Sequence, residues 1–235
     1  MAQRVIPAYK SKKELVYDHL RTAILHGAFQ PGERIVIDGL TAQLGVSQIP
    51  IREALQQLQA EGFVVMEPHI GPRVASIEAS LICEVFQLLE SLEVISGRAA
   101  CQHISESNLQ NMERMLRSMD AMCDDLEQWS QANVRLHYSL CDWGETLLVK
   151  SLMTNVLDQW DRLRHYYLKD VLVKRIDLSQ QDHWALYHAL KARDVEQTEH
   201  IARQHNQRAL ADYASYLRSI GQMGERGLNS CQPAK

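Results

Sequence analysis

The sequence predicts a mostly α-helical chain in two parts: an N-terminal winged helix-turn-helix over residues 1–76, then an antiparallel all-α bundle of about six helices over residues 77–222. Three observations carry this expectation. The run Leu40–Val64, LTAQLGVSQIPIREALQQLQAEGFV, reads as a short helix, a tight turn at Gly45, a second helix opened by Ser47 and a stop at Gly62. Two strand-like runs, Phe63–Met66 and Arg73–Ala75, follow at once around the turn Pro68-His69-Ile70-Gly71 and form a wing. From Ile77 onward strand signals vanish and apolar residues recur at helical spacing. Residues 223–235, with Gly, Ser and Pro among them, are expected to form a disordered tail.

In the first part, Ser11 followed by Glu14 fits a capping box, so a helix is expected from about Lys12 to His26. Val16, Leu20, Ala23 and Ile24 give it an apolar stripe, and Gly27 suits its left-handed end. Pro31-Gly32 then fits a type II turn, with Gly where positive φ is needed. The expected core of this module is Leu20, Ile24, Leu40, Leu44, Ile51, Leu55 and Leu58. In the second part the stripe Leu81, Val85, Leu88, Leu92, Ile95 and Ala99 opens a helix. Further helices are expected at about 107–122, 125–142, 146–170, 179–192 and 195–220, with breaks at Gly144, near Asp177 and at Arg193-Asp194.

Composition narrows the function classes. Five widely spaced cysteines with no Cys-x-x-Cys pair suggest neither a disulfide framework nor a thiolate zinc site, and buried reduced thiols are expected. No stretch approaches the roughly 18 uncharged apolar residues of a membrane span. The polar start lacks the apolar core of a secretion signal, so a cytoplasmic location and no membrane partner are expected. Net charge is −4, but residues 1–76 carry 8 Lys+Arg against 7 Asp+Glu. Phosphate neutralisation depends on where a few cations sit rather than on the total.

With Ser47 as N-cap, Pro50 falls in the first turn and Ile51, Leu55 and Leu58 point inward. Ser47, Gln48 and Arg52 are left on the opposite face. A hydroxyl and helix N-terminal N–H groups suit phosphates, Gln can pair with adenine, and Arg can pair with guanine or clamp a phosphate. Double-stranded DNA is therefore the expected partner of this face.

A second constellation lies in the helical part. Asn133 and His137 stand four apart on one helix face, and His183 and His205 lie on two later helices, with Asp194 between them as a cap. Imidazole nitrogens with an oxygen ligand, gathered from facing helices, suit a divalent ion such as Zn²⁺, Ni²⁺ or Mn²⁺. Three imidazoles and a neutral amide would leave such a site cationic and open to an anionic ligand.

PGERI, the helix-turn-helix run and the wing together resemble the DNA-binding domain of the GntR family of bacterial transcription regulators. The helical remainder resembles the FadR-like subfamily with its FCD ligand domain, the likeness spanning residues about 12–215. The resemblance implies DNA contacts at Arg34, Ser47, Gln48, Arg52 and the wing Gly71. It also implies a metal site of Asn133, His137, His183 and His205. Three departures stand out. Gln48 replaces a frequent Arg, Ile70 replaces a frequent wing Arg, and Leu89 stands where an effector-binding Arg often lies. Another anchor such as Arg135, Arg162 or Arg164 could then serve, and Trp160, Tyr166 and Tyr167 read as packing.

The expectation is thus a homodimeric, non-enzymatic regulator that reads a palindrome and is modulated by a small carboxylate at a metal site. Two alternatives remain open at this point. One is a regulator that senses the metal itself, and the other is a metal-dependent hydrolase, disfavoured because no Glu or Asp is placed beside the three histidines.

Overall fold

The computed structural model describes residues 10–122 and 124–222, and the chain divides into two compact units, residues 1–77 and 78–235. In the first unit α1 (Lys12–Leu25) begins at the full capping box: the Glu14 amide donates to Ser11 Oγ at 3.2 Å, and the Ser11 amide to Glu14 Oε2 at 2.7 Å. Each bond satisfies a helix-end donor that would otherwise lack a partner. The Gln30–Glu33 turn closes with a 2.9 Å backbone bond, and Gly32 takes φ 78°, as a type II turn requires.

Helices α2 (Ile37–Leu44) and α3 (Gln48–Ala60) meet across Gly45, which is left-handed at φ 64°. The wing is the antiparallel pair β1 (Val64–Glu67) and β2 (Gly71–Val74), with Val64 opposite Val74 and Glu67 opposite Gly71. The segment after the Pro-Gly turn adds to the outer edge of β2. The Ile35 amide donates to Pro72 O and the Val74 amide to Glu33 O, so Arg34 and Arg73 face one another. That pairing carries no periodic signal, and the sequence reading placed no strand there.

Leu20, Ile24, Leu40, Ile51, Leu55 and Leu58 are buried together with Val16, Ile35, Phe63, Val64 and Val74. Leu44 is only partly buried against this cluster.

The second unit holds six α-helices among the described residues: α4 (Leu81–His103), α5 (Glu106–Asp120), α6 (Leu126–Trp143), α7 (Leu147–Leu163), α8 (Lys169–Ala192) and α9 (Val195–Ser219). The expected break near Asp177 is not there. Asp177 is an exposed residue within a continuous α8, and the irregularity falls earlier, in a single π turn over Arg164–Leu168. The cause is compositional: the buried stripe of α8 is Leu172, Arg175, Ile176, Ser179, Gln180 and His183, and its polar members interrupt the apolar period.

The α4 stripe also differs from expectation. Leu88 and Ile95 are half exposed, while Leu89, Leu92, Glu93 and Ser96 turn inward. Cys101 and Cys141 are free buried thiols, whereas Cys83 is disulfide-bonded, contrary to the expectation of reduced thiols throughout. The expected tail, residues 223–235, lies outside the described residues.

Gly144 ends α6 where it crosses α4. A Cβ there would stand 2.8 Å from the Ala100 amide nitrogen and 3.0 Å from the Ser96 carbonyl oxygen. Backbone cannot yield as a flexible side-chain end can, so Gly144→Ala should lower stability by about 1–3 kcal/mol. Urea unfolding monitored by tryptophan fluorescence measures it.

Candidate functional site

In the first unit Ser47, Gln48 and Arg52 lie together and exposed at the start of α3. Ser47 occupies the cap position, but its hydroxyl makes no cap hydrogen bond, which leaves Oγ available. Gln48 Nε2 donates to Asp38 Oδ1 of α2 at 2.7 Å, and Arg52 Nη2 donates to Gln48 Oε1 at 3.2 Å. Gln48 thus ties the two helices and steadies Arg52. Asp38, which the sequence reading did not single out, anchors this chain of bonds.

Arg34 is exposed beside β2, and Gly71 opens β2 at φ 103°, a conformation that excludes most side chains although open space surrounds it. Ile70, at the wing tip, is 44% exposed.

In the second unit α6, α8 and α9 bring His137, His183 and His205 together. Ring centroids are 5.1–5.8 Å apart, and one ligating atom from each lies within 4.8 Å of the others. Each Nδ1 is turned toward an oxygen: His137 to Glu93 Oε1 at 2.9 Å, His205 to Asp182 Oδ2 at 3.2 Å, and His183 to Gln180 Oε1 at 3.4 Å. The amide of Gln180 is oriented by its own donations to Leu116 O at 2.9 Å and Asp120 Oδ1 at 2.8 Å. Its oxygen therefore faces His183, which fixes the proton on Nδ1 and leaves a lone pair on Nε2.

His183 Nε2 and Asn133 Oδ1 are both buried and have no hydrogen-bond partner among the described residues. Two unsatisfied acceptors among converging imidazoles are what a divalent cation would satisfy. The donor set of three nitrogens and an amide oxygen fits Zn²⁺, Ni²⁺ or Mn²⁺, and Asn133, His137, His183 and His205 are the residues that could hold it.

Electrostatics prepare the set. Burial, helped by the neighbouring His205 and His137, pushes the His183 imidazole well below its ordinary range, so it is neutral and ready to donate near pH 7. Burial pushes the Glu93 carboxyl up, but His137, His205 and Asn206 outweigh it and hold Glu93 below the usual carboxylate range. Glu93 is pinned from the other side by Asn206 Nδ2, 2.7 Å from Oε2, and Asp182 by Arg208 Nη2, 2.7 Å from Oδ1.

Sequence reasoning missed both carboxylates. Glu93 on the inward face of α4 is the available signal, and an apolar stripe through Leu88 and Ile95 hides it. The expectation of a fully cationic site, and that of no carboxylate beside the histidines, are corrected accordingly.

A cavity borders the site and is lined by Asn133, His137, His205, Leu89, Trp160 and Tyr213 among others. None of the candidate anchors Arg135, Arg162 and Arg164 lines it. Arg135 is exposed, Arg162 is buried in α7, and Arg164 spends its fork on Asp161 and Glu127.

A winged helix-turn-helix with a polar reading face, followed by an all-helical unit, defines a DNA-binding transcriptional regulator rather than an enzyme. The chain belongs to the GntR family: the model of the bacterial regulatory proteins of that family matches residues 12–74, and the FCD domain model matches residues 84–208. It is 25% identical over 198 residues to the HTH-type transcriptional repressor GlaR of Escherichia coli K12, covering 80% of this chain and 90% of that one. It is 28% identical to the uncharacterized HTH-type regulator YdhC of Bacillus subtilis, over 60% of this chain and 65%, just under two thirds, of that relative. Its fold is similar to that of E. coli McbR/YncC, with a TM-score of 0.75 and 21% identity over 88% of this chain and 99% of the other. The hydrolase alternative falls with this assignment.

The depressed His183 basicity sets a pH dependence for the metal-free protein. An unfolded chain takes up a proton near pH 6.5 that the buried ring refuses, so stability is full above that pH and is lost as pH falls below it. The urea midpoint of chelator-treated protein should drop between pH 7 and 5. In His183→Gln the part of that drop owed to this ring should be absent.

Proposed function

We propose that this chain is a homodimeric, cytoplasmic repressor that reads a palindromic operator and whose affinity is set by a small carboxylic acid bound at a divalent metal. The reading rests above all on the Nδ1-anchored imidazoles with the two unsatisfied acceptors, His183 Nε2 and Asn133 Oδ1, beside a cavity. When bound, the metal supplies positive charge and open coordination positions for an oxyanion. Glu93, Asp182 and Gln180 hold the three rings in the ligating tautomer, and neighbours of this kind typically change metal affinity 10–100-fold.

Arg34, Ser47, Gln48, Arg52 and Gly71 form the proposed DNA face. Ser47 Oγ and the α3 N-terminus suit a phosphate, Gly71 lets the wing backbone approach closely, and Arg52 reaches base or phosphate. The Asp38–Gln48–Arg52 chain makes Gln48 a positioning residue before it is a reader. A base that draws Gln48 away must replace both of its bonds.

Support for a dimer comes from apolar side chains left in water on two helices that pack together: Leu88 and Ile95 of α4, and Leu147, Leu148 and Leu152 of α7. An isologous two-fold contact there would make a palindrome the natural target. The repressor assignment follows GlaR, which is named for that activity.

Two outcomes test the reading. Arg52→Ala should weaken operator binding by about 1–3 kcal/mol in a gel shift with the DNA upstream of the regulator's own gene, while the fold is kept. Glu93→Gln should lower zinc affinity 10–100-fold in competition with a chromophoric chelator. Unchanged values would refute the assigned reading helix and the assigned metal set respectively.

A further inference from the structure

Arg175 of α8 is 3% exposed, and its guanidinium is only half used. Nη1 donates to Asp212 of α9, but Nε and Nη2, both buried, have no partner among the described residues. These two N–H groups form the side edge of the guanidinium, the edge that matches a carboxylate with two parallel bonds. Arg164 shows that edge in use: its Nε and Nη2 grip Asp161 and Glu127 at 2.6–3.0 Å. Arg175 carries the same edge, buried and without a hydrogen-bond partner among the described residues.

Its neighbours, rather than Arg175 itself, line the cavity. Leu172 and Ser179, three residues before and four after it on one face of α8, line the cavity. The guanidinium carbon lies 5.8 Å from the ring of Tyr213, which lines the same cavity and whose hydroxyl also accepts a hydrogen bond from Arg175. Leu89, which also lines the cavity, offers it only hydrocarbon. Asp212 is 49% exposed and partly solvated, so it leaves much of the buried cation uncompensated.

We propose that Arg175 anchors the effector: the Nε–Nη2 edge of its guanidinium receives a carboxylate of a short organic acid in the metal-side cavity, with Tyr213 as the adjoining wall. This rests on the reading that the cavity takes an acid at the metal, and it adds a second, independent pole of positive charge. An acid with two carboxylates then has a partner at each pole, and dicarboxylates should bind more tightly than monocarboxylates of the same length.

The test is calorimetric titration of the zinc-loaded full chain with acetate, glycolate, malonate and succinate, with zinc content measured for every sample. Wild type should bind malonate or succinate more tightly than acetate. Arg175→Met should weaken that binding about tenfold or more, and Arg175→Lys should give an intermediate loss, since it keeps the charge but not the fork. If Arg175→Met does not fold, the Arg175 Nε–H resonance of ¹⁵N-labelled wild type should shift downfield on adding the acid. Run on zinc-free protein, the same resonance separates the two readings: a shift without zinc supports the arginine anchor even if metal uptake fails. Equal affinity in Arg175→Met, an unmoved resonance, or no binding of any of the four acids would overturn the proposal.

Discussion

Three imidazoles side by side, two buried and one partly buried, each turn Nδ1 toward an oxygen supplied by α4 or α8. Glu93 comes from α4, Gln180 and Asp182 from α8, and Asn206 and Arg208 of α9 hold the two carboxylates in turn. Removing one of these partners would leave a buried polar group whose desolvation costs about 1–3 kcal/mol. The polar network therefore dictates the inward faces of four helices, and hydrocarbon packing fills what is left between them.

That priority explains why this unit was only partly legible. Helix existence followed from spacing, and so did the histidine set, because His137, His183 and His205 sit on faces that helical periodicity can place. The carboxylates could not be found in the same way. Reading α4 by its apolar residues selects Leu88 and Ile95, which face outward, and passes over Glu93, which faces in. Reading α8 by hydrophobicity produces a false break at Asp177, because Arg175, Ser179 and Gln180 occupy the buried stripe. Apolar periodicity locates a core, but a polar site built into that core erases its own signal.

The first unit behaves differently because local chemistry specifies nearly all of it. Ser11 with Glu14, Pro31-Gly32 and Gly45 each demand one backbone conformation, and each takes it. What sequence could not supply was pairing at a distance: the addition of Glu33–Ile35 to the wing, and the bond from Gln48 to Asp38 that holds Arg52. Gln48 is thus more constrained than its type suggests. A ligand bound in one unit can alter DNA affinity only if it has different affinity for two states of the whole, so that regulation requires discrimination as well as binding.

Nε2 of His137, His183 and His205 are expected to meet at a single cation, and X-ray absorption at the zinc edge of the zinc-loaded protein tests this directly. Three nitrogen scatterers at about 2.0–2.1 Å, with the outer-shell pattern of imidazole and an added oxygen shell, are the expected result. An all-oxygen shell without imidazole scattering would contradict the account.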